Sequence, residues 1–321
     1  MLPLWLPTAR GDTILAHQDE ERERPNDPAS GLTLRDGWQT RFEEYAARFR
    51  VTFQRADQFL RFRVYLRGLL EPSDRKNVES IAAAAGRVIT TEANLAQALQ
   101  HFVSHSPWDA SRLFAAVRRT LAVRADSGAV WVIHDGAFAK KGRHSVGVQP
   151  QFARALGKKI NCQVGVFVTQ VGPAGYFPLT ARLYLPAAWL REHGAGTAVP
   201  VDARQPASKA EIALRLLDEL RGEGEVPAVT GEPGYLEDPG FQEGLQALGG
   251  SVRSESAGAV AGAVLRFDWL RNALGLDHFE GRTWHGWHHH VGLVFAAYGF
   301  LCSEAGGEEA PPFRSPHLSP L

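Results

Sequence analysis

The sequence predicts an α/β protein whose N-terminal part is entirely helical. Two observations indicate this division. From Trp38 to Val123, apolar residues recur roughly every three to four positions, and no strand-like alternation interrupts them, which is typical of helices packed on a core. After Ser127, short apolar segments are separated by turn residues, and a helix lies between two of them. That order of elements is typical of a sheet flanked by helices.

An aromatic series marks the helical segment, which we predict to form a domain over residues 33–125. Its members are Phe42, Tyr45, Phe49, Phe53, Phe59, Phe62 and Tyr65. Residues 18–32 and the segment that begins at Gly306 are polar and contain several prolines. Such composition cannot bury enough apolar surface to order a chain, so we expect mobile ends at residues 1–32 and 306–321.

The sheet and its helices are predicted to form a second domain over residues 126–305. The predicted strands are AVWVIHD (129–135), CQVGVFVTQV (162–171), YFPLTARLYLP (176–186) and the short VPAVTG that leads to Glu232. A helix opens between the last two strands with Ser208 and Glu211, three positions apart, which is the spacing of a capping box. Residues 259–274 and 285–303 complete the domain as two more helices.

Composition gives only weak signs of a partner or a compartment. The formal net charge of the 321 residues is zero, which removes the simplest electrostatic argument for nucleic-acid binding. Cys162 and Cys302 have no CxxC or Cys/His pattern, so we expect reduced core thiols. No apolar run approaches the roughly 18 residues of a membrane span. We therefore expect a cytoplasmic protein without a membrane partner.

Positive charge is concentrated in one part of the chain. No acidic residue lies between Asp135 and Glu192. The candidate DNA-binding residues in this segment are Lys140, Lys141, Arg143, Arg154, Lys158 and Lys159. Such a group could neutralise phosphates. It could equally form a solvated face paired with acids from elsewhere in the fold, and the sequence leaves both interpretations open.

Four blocks of sequence, in fixed order, resemble a known family. They are RFRVYLRGLLEPSDRKN followed by WDASRL, then FAKKGRHSVGVQPQFARALGKKINCQVGVFVTQV, then ARLYLPAAWL, and finally GLDHFEGRTWHGWHHHVGLVFAAYGFL. These blocks are similar to the DDE-type transposases of bacterial insertion sequences. The resemblance implies an RNase H-like domain with a mixed sheet flanked by helices. It also implies three carboxylates that hold two magnesium ions for attack on a phosphodiester.

At the three acidic positions of the family this chain carries other residues. Alignment without gaps on Phe138 places His134 at the first position, and Glu232 replaces aspartate at the second. Counting back from Arg271 places Val264 at the third. Imidazole is a poor magnesium ligand, and valine cannot bind a metal at all. The β-rich insertion of the family is also missing between the second and third positions. We therefore expect no metal cofactor, no DNA cutting and a residual role in DNA binding.

Two other interpretations remain open at this stage. In the first, Asp135, Glu232 and Asp268 form a rearranged site that binds Mg²⁺. In the second, His134 and Glu232 act as an acid-base pair on a small molecule or peptide. Neighbouring strand residues point to opposite faces of a sheet, so only one of His134 and Asp135 can face the site. His285 and His289 have the spacing of a helical metal pair, but the resemblance implies that this helix packs on the sheet.

Overall fold

A computed structural model describes residues 34–89, 93–121, 128–194, 198–223, 226–253 and 257–305. The mobile ends predicted at residues 1–32 and 306–321 lie outside them, as does the domain boundary predicted at residue 125. In the part of the chain that is described, N-terminal helices precede a mixed five-stranded sheet with helices on both faces. The predicted fold class is confirmed.

The elements are numbered in chain order. The helices are α1 (Trp38–Ala47), α2 (Ala56–Leu70), α3 (Val78–Ile89), α4 (Leu95–Ser104), α5 (Ala110–Thr120), α6 (Ala187–His193), α7 (Lys209–Arg221), α8 (Pro233–Leu236), α9 (Pro239–Ala247), α10 (Ala257–Leu274) and α11 (Trp284–Glu304). The strands are β1 (Val130–Ala139), β2 (Gln149–Ala153), β3 (Lys158–Gly172), β4 (Gly175–Tyr184) and β5 (Val229–Gly231).

The long strand β3 organises the sheet. Strand β1 pairs antiparallel with one edge of β3, while β2 and β4 pair antiparallel with successive parts of the other edge. Strand β5 is parallel to β1, with Ile133 opposite Gly231, and Val252 forms a parallel bridge to Val229 beyond it. Four strands with antiparallel pairing, followed by the parallel β5 and the bridge at Val252, form the mixed sheet expected of an RNase H-like fold.

The two faces of β1 contact different helices. Trp131 and Ile133 pack with residues of α7 and α9 in one cluster of buried side chains. Val130 and Val132 belong to a separate cluster with Ala263 of α10. Because side chains alternate along a strand, the next even position points toward α10 and the next odd position toward α7. This alternation decides which residues of β1 can meet at a site.

Helix α11 lies at the centre of the hydrophobic core. It packs against α2, α4 and α5 from the N-terminal part and also against β4 and α10. The hydroxyl of Tyr45 donates to the carbonyl of Ala296 at 2.8 Å, and that of Tyr298 donates to the carbonyl of Tyr176 at 2.7 Å. A single cluster of buried residues joins α1 with Phe138 and Phe167 of the sheet. None of the helices described is long and apolar enough to cross a membrane.

Candidate functional site

Glu232 lies at the point where β5 ends beside β1. Its backbone N–H donates to the carbonyl of Ile133 at 3.0 Å, which continues the parallel ladder by one step. Pro233 then begins α8, so the strand stops and the β1 backbone beyond Ile133 loses its neighbour. The Glu232 side chain supplies the missing partner, because its Oε2 accepts from the N–H of Asp135 at 3.0 Å. This carboxylate therefore caps the edge of β1.

The Asp135 carboxylate is held on both of its oxygens. Tyr235 donates its hydroxyl to Oδ1, and the ammonium group of Lys209 pairs with Oδ2. The Asp135 side chain is 11% exposed, and that of Lys209 is 37% exposed. Arg154 lies 3.5 Å from Oε1 of Glu232. Two acids and two cations form a cluster whose formal charges balance.

Burial changes the protonation behaviour of two members of this cluster. It raises the pKa of Glu232, and the nearby Asp135 carboxylate adds to that effect, while the N–H of Asp135 opposes it. Burial and the Asp135 carboxylate also raise the pKa of Tyr235 well above its usual value. The tyrosine is therefore a neutral hydroxyl donor throughout the physiological range, which suits its bond to Asp135.

His134 faces the other side of the sheet. Its ring is buried, stacks on Phe167 and meets Phe267 of α10 edge-on. Nε2 lies 3.2 Å from Oγ1 of Thr169, and burial lowers the pKa of the ring to about 4. The interpretation of His134 and Glu232 as an acid-base pair is therefore wrong in its geometry. The residue that β1 presents to Glu232 is Asp135.

The three acids of the rearranged magnesium site, Asp135, Glu232 and Asp268, do not all come together. Val264 is half-buried on α10, and Asp268 lies 3.8 Å from the guanidinium of Arg271. The described part of the chain contains no group of three or more His, Cys, Asp or Glu side chains that could hold a metal. All four carboxylate oxygens of Asp135 and Glu232 already face a hydrogen-bond donor or a cation. These side chains do not fit the two-metal site of the family that the sequence resembles.

The six candidate DNA-binding residues separate into three kinds. Lys140 is tied inward, because its ammonium group donates to the carbonyl of Phe279 at 2.6 Å, and burial lowers its pKa. Arg154 belongs to the acidic cluster through Glu232. The remaining four are exposed and form no ion pair with any residue that the structure describes: Lys141, Arg143, Lys158 and Lys159.

The histidine run at the start of α11 is part of the core. His288 donates from Nδ1 to the carbonyl of Trp284 at 2.9 Å and accepts from the N–H of Leu183 at 3.3 Å. Both ring nitrogens of His289 lie 2.7 Å from the carbonyl oxygens of Val103 and Trp108. Neither nitrogen of His289 is directed at His285, so the two do not form a metal pair. A cavity of about 490 Å³ lies beside these rings, on a different part of the molecule from Asp135.

Sequence patterns did not identify Lys209 and Tyr235 as members of the site. They lie 74 and 100 positions from Asp135. Lys209 opens α7 directly after the cap residue Ser208, and Tyr235 lies in the short helix that follows Glu232. The parallel pairing of β5 with β1 brings these helix starts to the odd-numbered face of β1. The spacing of residues in the sequence gives no indication that β5 pairs with β1.

Replacing Tyr235 by phenylalanine is expected to lower the free energy of unfolding by about 2 kcal/mol, since a buried hydrogen bond to a charged group is lost. Tyr184→Phe is a matched control, because its hydroxyl bonds to no residue in the described ranges. Urea unfolding of the two variants measures the difference. Equal stability of Tyr235→Phe and Tyr184→Phe would contradict the role assigned to the Tyr235 hydroxyl.

Comparison with known proteins gives one match. The model of a family described as DDE superfamily endonuclease matches residues 48–256, more than half of the chain. The match includes α2 to α9 and both acids of the cluster at the end of β5. Neither the curated proteins nor the solved structures contain a match.

Proposed function

Because the chain belongs to the DDE superfamily endonuclease family, and is transposase-like in this sense, we propose that it binds DNA without metal-dependent cutting. The observation that carries the proposal is the charge-balanced cluster at the end of β5. Asp135 and Glu232 are engaged there by Lys209, Tyr235 and Arg154.

The loss of cutting is supported by the use to which the two acids are put. A catalytic magnesium ion needs anionic oxygens that point together into open space. Asp135 instead neutralises a lysine, and Glu232 completes the hydrogen bonding of a strand edge. At the third position, α10 presents Phe267 toward the sheet, and Asp268 pairs with Arg271. Each of these three carboxylates has a partner within the protein, which supports the proposed loss of metal binding.

DNA binding is supported by the basic residues that have no such partner. Lys141 and Arg143 follow the end of β1, and Lys158 and Lys159 begin β3. Asn161 connects the two segments, because its side chain donates to the carbonyls of Lys140 and Gly142 at 2.7 and 2.9 Å. The four exposed cations are thereby held on one end of the sheet. A cation that is not neutralised within the protein is free to displace counterions from a phosphate backbone.

The test measures binding and cutting on the same preparation. We expect the affinity for a fluorescent duplex to fall steeply with salt. In a plot of the logarithm of the binding constant against the logarithm of the salt concentration, the slope falls by about 0.9 for each phosphate neutralised. Changing Lys158 and Lys159 to alanine should reduce the steepness of that slope by nearly the amount expected for two phosphates. The matched control changes Arg215 and Arg253, two exposed arginines elsewhere on the surface, and should leave the slope unaltered.

Cutting is measured with supercoiled and linear DNA in the presence of Mg²⁺ or Mn²⁺. We expect no nicking by the wild-type protein or by Asp135→Ala. Nicking that disappears in Asp135→Ala would overturn the proposal and restore a metal site built on that residue. Duplex binding that ignores both salt and the lysine substitutions would remove the proposed role in DNA binding.

A further inference from the structure

The hairpin formed by β2 and β3 exposes apolar side chains at the edge of the sheet. Phe152 is 56% exposed and Leu156 is 58% exposed, and both are large residues of the kind that proteins usually bury. A tight turn, Arg154–Leu156, joins the two strands and ends at Gly157, whose φ of 62° lies in the left-handed region that glycine tolerates. The turn holds these apolar groups on a defined backbone.

The exposed aromatic ring lies next to a cation. Phe152 and Lys159 are direct partners in the antiparallel ladder of β2 and β3. Directly opposed residues place their side chains on the same face, within about 5 Å at Cβ. Lys159 forms no ion pair with the residues described, and Lys158 is exposed on the opposite face of the same strand. An exposed aromatic ring with a cation beside it on the same face, and a second cation on the other face of β3, is a suitable surface for a nucleotide.

Charge distinguishes between the possible occupants of this surface. No acidic residue occurs between Asp135 and Glu192, so the hairpin and the loop before it carry positive charge alone. A second copy of the chain that paired through β2 would bring two such basic groups together, which is unfavourable. A polyanion with flat apolar rings matches both properties of the surface. Single-stranded DNA, whose unpaired bases expose their faces, has this chemistry.

We propose that the β2–β3 hairpin binds single-stranded DNA, with a base stacked on Phe152 and a neighbouring phosphate held by Lys159, while Lys158 adds positive charge on the other face of β3. The proposal rests on the DNA-binding function proposed above and adds the form of DNA that this edge recognises. Paired bases in a duplex cover their faces with their neighbours and cannot stack on Phe152. The hairpin therefore selects unpaired strands, such as those at an opened or distorted duplex.

The test compares a fluorescent oligo-thymidine of 20 nucleotides with a duplex of random sequence. Phe152→Ala is expected to weaken binding of the single strand by about fivefold or more, since stacking on an aromatic side chain contributes that much per base. Its affinity for the duplex and its salt slope should stay as in the wild type. Phe152→Trp should retain the affinity for the single strand, because it keeps an aromatic face.

A matched control separates stacking from a general loss of surface hydrophobicity. Val201→Ala removes an apolar side chain that is 74% exposed elsewhere and should bind both DNAs like the wild type. Lys159→Ala should lower the salt slope for the single strand by about 0.7, the value for one phosphate contact. The aromatic and the charged contributions are thus measured independently.

Four results would overturn the inference in different ways. Wild-type affinity of Phe152→Ala for the single strand would show that the ring does not contact bases. A dimer that Phe152→Ala converts to a monomer, with unchanged binding of both DNAs, would assign this edge to a second copy of the chain. If the wild-type protein bound the duplex alone, the hairpin inference would fail while the proposed function survived; binding of neither DNA would remove both.

Discussion

Replacing His134 by aspartate is expected to lower the free energy of unfolding by about 4 kcal/mol at pH 7. The aspartate side chain would enter a space bounded by Phe167, Phe267 and Thr169. A carboxylate without a partner cannot remain charged in such surroundings, so its pKa in the folded protein would rise. Keeping it protonated about three pH units above its usual pKa costs about 1.4 kcal/mol per unit.

The introduced aspartate is expected to change stability with pH in the direction opposite to that of His134 in the wild type. Burial lowers the pKa of His134 to about 4, below the value near 6.5 in an unfolded chain. Its contribution to stability is therefore present above pH 6.5 and is lost as pH falls toward 4. The aspartate variant has a raised pKa in the folded state. The contribution of this aspartate to stability is fully present below about pH 4 and is lost as pH rises.

Urea unfolding at pH 5 and pH 7 measures both effects. His134→Asn is the control, because asparagine has nearly the shape of aspartate and does not titrate. We expect the stability of His134→Asp relative to His134→Asn to be lower at pH 7 than at pH 5. A variant His134→Asp that matched His134→Asn at both pH values, or that gained stability from Mg²⁺, would show that the position is open to a carboxylate or a metal.

Replacing Gly165 by alanine is expected to destabilise the protein by about 2–3 kcal/mol, which is typical of overpacking in a core. A Cβ atom at this position would lie 2.6 Å from one ring atom of Trp287 and 2.8 Å from a ring atom of Phe167. Both rings are buried, and Phe167 also contacts Phe138 and Phe295. Neither ring can move away without displacing a further aromatic neighbour.

The control for this substitution is Gly142→Ala. Nothing lies within 4 Å of a Cβ atom at Gly142, and its backbone lies outside the left-handed region. Its stability should stay within about 0.5 kcal/mol of the wild type. Trp287→Phe combined with Gly165→Ala should recover part of the loss, because the smaller ring vacates the colliding volume. If the free energy of unfolding of the double variant fell by the sum of the losses in the two single variants, contact between these side chains would not be the cause of the destabilisation.

The sequence predicted most elements of the fold because their patterns are local. The capping box at the start of α7 is present, with the N–H of Glu211 donating to Oγ of Ser208 at 3.1 Å. The predicted strands and the last two helices fall within a few residues of their observed bounds. Strand β2 was not predicted, because its residues Gln149–Ala153 include a proline and show no apolar alternation. A proline in a strand is characteristic of a sheet edge, which is where β2 lies.

The candidate site was predictable only in part. Motif spacing identified Glu232 and limited the partner on β1 to His134 or Asp135. Counting residues from Phe138 favoured His134, but the choice depends on which face of β1 meets α7. That orientation is set by the packing of Trp131 and Ile133 against α7, which no local pattern specifies. Lys209 and Arg154 reach the acids from distant parts of the chain, so the neutralisation of the cluster could not be predicted.

The central position of α11 imposes an order of events when the chain is made on a ribosome. Helices α2, α4 and α5 pack around α11, yet Trp284 follows Thr120 by 164 positions. At the roughly 5–20 residues per second of protein synthesis, the earlier helices emerge on the order of ten seconds before their common partner. During that interval the apolar surfaces that face α11 have no native cover. Synthesis of this protein should therefore depend strongly on holding chaperones, and slowed translation between α5 and α11 should increase its aggregation.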